Sequence, residues 1–348
     1  MKKLIKGNIA LCEGAIAAGL HAYFGYPITP QNEIPAYMSK KMVELKRVFV
    51  QAESEIAAAN MVLGAAVTGK RAMTSSSSPG ISLKQEAISY MAGLQLPSLI
   101  VNVQRGGPGL GNISGSQSDY FQAVKGGGHG DYRLIVLSPN SAQEMYEFAY
   151  DSFDLAEKYR SPVMILTDGI IGQMMEPVEF NKSEKKDFND KNWVLTGCKG
   201  RQPRSVQSLL MKDGVLEKHN INLQEKYKII AKNEVKYETF MTDDAEIIIT
   251  AYGISSRIAK SAIKLARKEG IKAGLLRPKT LWPFPSQIID SLAKKGTKFL
   301  SVELSHGQMI EDVKLAVNGK APVEFLGKAG GGIVTEQEIL VKIKEMAK

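Results

Sequence analysis

Ser98-Leu99-Ile100-Val101-Asn102-Val103, running straight into Gln104-Arg105-Gly106-Gly107-Pro108-Gly109-Leu110-Gly111, decides the fold class. A short, nearly unbroken aliphatic run that ends in a glycine loop reads as a strand of a parallel sheet covered on both faces. Its loop then lies at the carboxyl end, where such sheets bind ligands. The loop is not a dinucleotide fingerprint, because Asn112 and Ser114 stand where G-x-G-x-x-G needs its third glycine. No G-x-x-x-x-G-K-[ST] phosphate loop occurs either.

Outward from this strand the same rhythm repeats. Strands are expected at residues 47–51, 71–75, 133–137 and 163–167, and Tyr23-Phe24-Gly25-Tyr26 runs into the turn Pro27-Ile28-Thr29-Pro30. Helices are expected over 8–22, 55–66, 83–94 and 142–158. Alternation of this kind predicts an α/β parallel sheet. Between Asn181 and Asp243 the pattern degrades into Lys, Asp, Asn, Gln and Ser. A second α/β unit follows, with strands at 246–252, 273–276 and 297–303 and helices at 256–269 and 284–294. The expected organisation is a first domain over 1–181, a polar connector over 182–243 and a second domain over 244–348.

Composition narrows the classes. The chain has 348 residues, 44% hydrophobic and 23% charged, which suits a globular protein with an ample core. Two cysteines, Cys12 and Cys198, exclude a four-thiolate cluster, a Cys-rich zinc site or a disulfide scaffold within this chain. The four scattered histidines argue against a His-based metal site. Met1-Lys2-Lys3 imitates an export signal, but Gly7-Asn8 and Glu13 interrupt the apolar stretch, and no spanning run follows. A cytoplasmic protein with no membrane partner is expected. Of the net charge of +9, the segment 181–240 supplies most, with 13 Lys and Arg against 8 Asp and Glu. A solvated connector explains that excess, and without a recognition motif no nucleic-acid partner is expected.

Two further stretches carry candidate chemistry. Thr74 to Ser78, then Pro79-Gly80, reads as a polar loop after a short strand, where small hydroxyl residues let a cofactor approach the backbone. It is no hydrolase elbow, and Gly111-Asn112-Ile113-Ser114-Gly115 misses the G-x-S-x-G spacing by one. In Gln51-Ala52-Glu53-Ser54-Glu55-Ile56-Ala57-Ala58, Ser54 can cap a helix, and both acids suit the helix dipole. From these residues alone, either glutamate could be merely structural.

Tyr26-Pro27-Ile28-Thr29-Pro30, followed by Glu53-Ser54-Glu55-Ile56-Ala57-Ala58, resembles the alpha subunit of 2-oxoacid:ferredoxin oxidoreductases. Gln104 to Gly109, Gln117-Ser118-Asp119 and Gly126-Gly127-Gly128-His129-Gly130-Asp131 extend the match, which covers essentially the whole chain. The last string looks most like the branched-chain, 2-oxoisovalerate members, with the 2-oxoglutarate type next. The resemblance implies a thiamine diphosphate pyrimidine-binding domain, then a transketolase C-terminal-like domain in which Arg277 to Pro285 is the signature. Gln31-Asn32 departs from the Ser or Thr that many relatives carry there.

The resemblance also implies roles. Glu55, by its Glu-x-Ala-Ala spacing, would hydrogen-bond N1′ of the aminopyrimidine, while Glu53 would remain a first-turn acid. Thr29 would contact the 2-oxoacid, Pro27 would lie against the cofactor, and Arg105 would grip the substrate carboxylate, as a planar guanidinium can. Lys125, Asp119 and His129 lie in neighbouring loops without an assigned role. The implied reaction is oxidative decarboxylation, with electrons passed singly to a [4Fe–4S] cluster and the acyl group to coenzyme A. No Gly-Asp-Gly motif or cluster cysteine is present. A beta subunit is therefore expected to carry the diphosphate and Mg2+, and gamma and ferredoxin-like delta subunits the clusters that reduce ferredoxin. A non-catalytic scaffold subunit is the alternative of a different class.

Overall fold

A computed structural model describes residues 2–185, 191–294 and 296–348; positions 186–190 of the expected connector lie outside the described residues. The first unit runs β1 (Lys2–Lys6), α1 (Gly7–Ala17), β2 (Ala22–Gly25), α2 (Glu33–Glu44), β3 (Val48–Gln51), α3 (Glu55–Val67), β4 (Ala72–Ser76) and α4 (Ser78–Gly93). It continues with β5 (Ser98–Gln104), α5 (Tyr120–Val124), β6 (Ile135–Leu137), α6 (Ala142–Tyr159), β7 (Pro162–Asp168), α7 (Gly169–Gln173) and β8 (Met175–Glu179). Every residue of β5 and β7 is buried, which is why their sequences show no alternation. They pair in parallel at the centre of a sheet ordered β3-β2-β4-β5-β7-β6.

The Lys-rich start forms β1, an antiparallel partner of β8. The Gly/Ala-rich character of α1 has a packing cause: a Cβ on Gly14 would stand 2.1 Å from the carbonyl oxygen of Tyr146 in α6. The polar stretch Thr74 to Gly80, expected as a loop, is also more ordered than its composition suggests. Thr74 to Ser76 belong to the strand with their side chains buried, and Ser78-Pro79-Gly80 is the first turn of α4, where proline needs no donor.

The second unit comprises α8 (Val215–Asn233), β9 (Tyr237–Phe240), β10 (Ile247–Thr250), α9 (Gly253–Lys268), β11 (Ala273–Pro278), β12 (Thr280–Trp282) and α10 (Ser286–Leu292). Then come β13 (Lys298–Glu303), α11 (Met309–Val317), β14 (Val323–Gly327) and α12 (Glu336–Ala347). Its sheet is ordered β14-β13-β10-β11-β9, parallel except for β9. The stretch read as a connector carries α8 and β9. Only Leu223, Tyr227 and Ile230 of α8 are buried, a stripe too narrow to stand out among lysines and glutamates. Tyr227 meets the Trp282 ring edge-on at 5.8 Å.

The two sheets are joined by more than chain continuity. β12 crosses over and pairs antiparallel with β6. Arg277, fully buried, binds Glu144 of α6 and Glu238 of β9. The Gln117 side chain donates to Tyr252 O at 2.8 Å and accepts from Ser255 Oγ and Leu304 N at 2.8 and 2.9 Å. Glu303, at the end of β13, is buried and caps α11, accepting from the backbone N–H groups of Gln308, Met309 and Ile310.

Candidate active site

Strands β3, β2, β4 and β5 are neighbours and run in parallel, so the loops at their carboxyl ends open on one edge of the sheet. Glu55, Thr29 and Arg105 stand on three of those loops or at their junction with the next helix, and Pro27 lies on the Thr29 loop.

Glu55 and Glu53 separate cleanly. Ser54 is extended and accepts from Ala57 N at 3.2 Å, so the helix begins at Glu55 and turns it inward. Glu55 is buried and Glu53 exposed. The Glu55 carboxylate lies against the first turn of α4, where a Cβ on Gly80 would be 2.7 Å from its Oε1 and 2.1 Å from Ser76 Oγ. The Ser76 and Ser77 hydroxyls are buried without a protein partner. Orphaned hydroxyls at the end of β4 and a carboxylate given room by a glycine make a donor–acceptor set that fits an aminopyrimidine. Such a ligand presents ring-nitrogen acceptors and an amino donor.

On the neighbouring loop, Thr29 is half-buried and Pro27 exposed. Asn32 Nδ2 donates to Thr29 Oγ1 at 3.1 Å, which leaves the threonine's own proton free for a ligand. Gln31, by contrast, is fully buried and engaged with Ser75 Oγ and Tyr26 O. Of the pair that departs from the family pattern, Asn32 is the residue beside Thr29.

Arg105 is 7% exposed, with Nη1 donating to Thr29 O and Nη2 to Leu110 O, both at 2.9 Å. Its Nε is buried without an acceptor. A short relay holds its backbone. Arg105 N donates to Ser78 Oγ at 3.0 Å, Ser78 Oγ donates to Asp119 Oδ2 at 2.6 Å, and Asn102 Nδ2 donates to the same oxygen at 2.9 Å. Burial raises the Asp119 carboxyl, opposed by the bonds from Ser78 and Asn102. Asp119 therefore sits one residue removed from the site as a support for the Arg105 loop.

The other two unassigned residues face elsewhere. Lys125 pairs with Asp312 of α11. His129 is exposed, its ring edge-on to Tyr90 and its carbonyl accepting from Ser89. Motif reading also passed over Lys84 and Asp168, and quoted Gly80 only as the end of a polar loop. Gly80 and Lys84, one turn apart on α4, both face Glu55; the signal was a lysine in phase with the buried Gly80, Ala87, Ile88 and Met91. Asp168, fully buried, accepts from the N–H groups of Ile170, Ile171 and Ile254, and burial pushes its carboxyl up to about 6. No single stretch of sequence signals that last contact, because Ile254 belongs to the second unit.

Comparison with known proteins shows the family. A family model for pyruvate flavodoxin/ferredoxin oxidoreductase, thiamine diphosphate-binding, covers residues 13–242, and one for pyruvate:ferredoxin oxidoreductase core domain II covers 245–339. The ketoisovalerate oxidoreductase subunit VorB of Methanothermobacter marburgensis is 53% identical over 99% of this chain and 98% of its own length. The 2-oxoglutarate synthase subunit KorA of the same organism is 39% identical over 98% of each chain. A solved structure of 2-oxoglutarate:ferredoxin oxidoreductase from Magnetococcus marinus, with 2-oxoglutarate, coenzyme A and succinyl-CoA bound, superimposes with a TM-score of 0.89 at 27% identity. That match covers 100% of this chain, which spans 65% of the other. With a family model over most of its length and relatives matched from end to end, the chain belongs to the thiamine diphosphate-binding pyruvate flavodoxin/ferredoxin oxidoreductase family.

Proposed function

We propose that this chain is the alpha-type subunit of a 2-oxoacid:ferredoxin oxidoreductase that converts 2-oxoisovalerate and related branched-chain 2-oxoacids to acyl-CoA and CO2. The observation that carries the chemistry is the buried Glu55 carboxylate beside the orphaned Ser76 hydroxyl, both against the Cα of Gly80. Thiamine diphosphate, when bound, supplies the carbanion chemistry. Glu55 holds and exchanges the proton at N1′ of its pyrimidine, and Pro27 lies against the same ring system. Arg105 anchors the oxoacid carboxylate through the donors its two carbonyl tethers leave free, and Thr29 donates its hydroxyl proton to the substrate. The substrate assignment is supported by 53% identity to a ketoisovalerate subunit against 39% to a 2-oxoglutarate subunit.

The edge is incomplete in this chain alone. Ile56, Leu83, Leu110 and Ile113, on the segments that frame it, are 48%, 50%, 80% and 64% exposed. Apolar side chains gathered round a site suit a covering subunit. In this reading a beta subunit brings the diphosphate and Mg2+ site, and gamma and delta subunits bring the [4Fe–4S] clusters that reduce ferredoxin. The proposed setting is the cytoplasm. The pyrimidine-facing unit spans 1–181 and the second unit 244–348, and the region 182–243 that joins them carries α8 and adds β9 to the second unit's sheet.

The test is coenzyme A-dependent reduction of a viologen dye by the assembled complex across a panel of 2-oxoacids. Turnover fastest with 2-oxoisovalerate is expected, and preference for 2-oxoglutarate would overturn the substrate. Glu55→Gln should lower turnover by about 100-fold or more, whereas Glu53→Gln should change it less than about twofold. An unchanged rate in Glu55→Gln would leave a scaffold subunit instead.

A further inference from the structure

One turn beyond Gly80, α4 brings a second group towards Glu55. Lys84 is fully buried, and its Nζ donates to the Glu55 carbonyl at 3.2 Å and to Thr74 Oγ1 at 3.0 Å. Neither of those acceptors is charged, and no carboxylate among the described residues stands within ion-pair distance. An ammonium enclosed in this way carries a large desolvation cost, whereas an apolar side chain of similar length would fill the space without it. Packing alone therefore does not account for a lysine here.

We propose that Lys84 is a positioning residue for Glu55, tying the first turn of α3 to β4 and supplying the buried positive charge that balances the Glu55 carboxylate. The proposal rests on the reading of Glu55 as the partner of the pyrimidine N1′. Two separable effects follow from the geometry. The hydrogen bond to the Glu55 carbonyl fixes where the carboxylate is presented. The charge acts through a poorly screening interior and favours the state in which the shared proton sits on the pyrimidine rather than on Glu55.

The charge is conditional. Burial lowers the Lys84 ammonium to about 8, opposed by the field of Glu55. Glu55 is the charged group that reaches it from α3; Thr74 on β4 and the buried Gly80, Ile81, Gln85 and Ile88 on α4 are uncharged. The positive charge is present at neutral pH and is lost as pH rises through about 8. Proton exchange that depends on Glu55 should fall along the same limb.

The experiment uses the complex assembled with its partner subunits and loaded with thiamine diphosphate. It measures the rate at which the bound cofactor's thiazolium C2 proton exchanges for deuterium, from below to above about pH 8. Lys84→Met should slow exchange roughly 10- to 100-fold and remove the alkaline limb, with cofactor affinity and the oxoacid KM changed less than about twofold. Normal exchange and an intact limb in Lys84→Met, while Glu55→Ala abolishes exchange, would overturn the role of Lys84 and leave that of Glu55. Normal exchange in Glu55→Ala would overturn both. Should Lys84→Met fail to assemble, Thr74→Val decides the matter. It removes one bond to the ammonium and should move the limb to lower pH; a limb that stays in place, or a wild-type rate flat across about pH 8, overturns the proposal.

Discussion

Gly80→Ala isolates the geometry of the Glu55 pocket. Gly80 does not occupy the left-handed region, so its backbone does not require glycine, and alanine's helix propensity would by itself add roughly 0.5–1 kcal/mol of stability. The added Cβ, however, would lie 2.1 Å from Ser76 Oγ and 2.7 Å from Glu55 Oε1. The Ser76 hydroxyl has no partner to lose and can rotate away. The Glu55 carboxylate must retreat by about 0.7 Å to reach ordinary contact near 3.4 Å, and a displacement of that order at a reacting group costs roughly 100-fold in rate. Overpacking of about 1–3 kcal/mol is partly offset by the propensity gain, so the Tm should fall by only a few degrees. The assay pairs thermal unfolding of the complex with viologen-linked turnover. Gly93→Ala in the same helix is the control, because no neighbouring atom lies within 4 Å of its Cβ position. Turnover of Gly80→Ala within about twofold of wild type would refute the placement of the carboxylate against α4.

Two further substitutions probe other parts of the site and its support. Arg105→Lys replaces a fork tied to Thr29 O and Leu110 O by a single mobile ammonium. The KM for the oxoacid should rise roughly 10- to 100-fold with a smaller change in kcat, and an unchanged KM would remove Arg105 from substrate binding. Asp168→Asn tests the seam between the units through pH. The buried carboxyl is raised to about 6 in the folded protein, so its contribution to stability is present below its ordinary range near 3.8 and is lost as pH rises through about 6. Between those limits wild type should lose about 3 kcal/mol relative to Asp168→Asn, measured as converging or crossing denaturation midpoints. Parallel midpoints across that range would show that Asp168 does not titrate there.

The edge of the sheet that carries the site was legible because local sequence records local burial. The aliphatic run of β5 and the Ser54 cap of α3 each depend on neighbours within a few residues, and a parallel sheet then brings its carboxyl-terminal loops to one edge. The order of strand, loop and helix thus determined where Thr29, Glu55 and Arg105 would lie. α8 was obscured for a related reason. Its three buried residues meet the rest of the protein on one narrow stripe, and the surrounding charges dominate any window of sequence.

What lay beyond the sequence are the contacts made between elements far apart in the chain. Gln117 belongs to a motif beside the site, yet its side chain clasps Tyr252, Ser255 and Leu304 of the second unit. Whether the second-turn lysine of α4, Lys84, would face water or the back of Glu55 depended on how α4 seats against α3 and β4. The sequence by itself determined the strand–loop–helix frame, because periodicity is local, while Thr29, Glu55 and Arg105 were singled out by the resemblance of their motifs to a family. Only the tertiary structure decided that Glu55 is buried and Glu53 exposed, that Lys84 stands behind it, and that Asp168 and Gln117 seal the two sheets together. Those outcomes follow from the rotation and approach of separate elements, which no single stretch of the chain encodes.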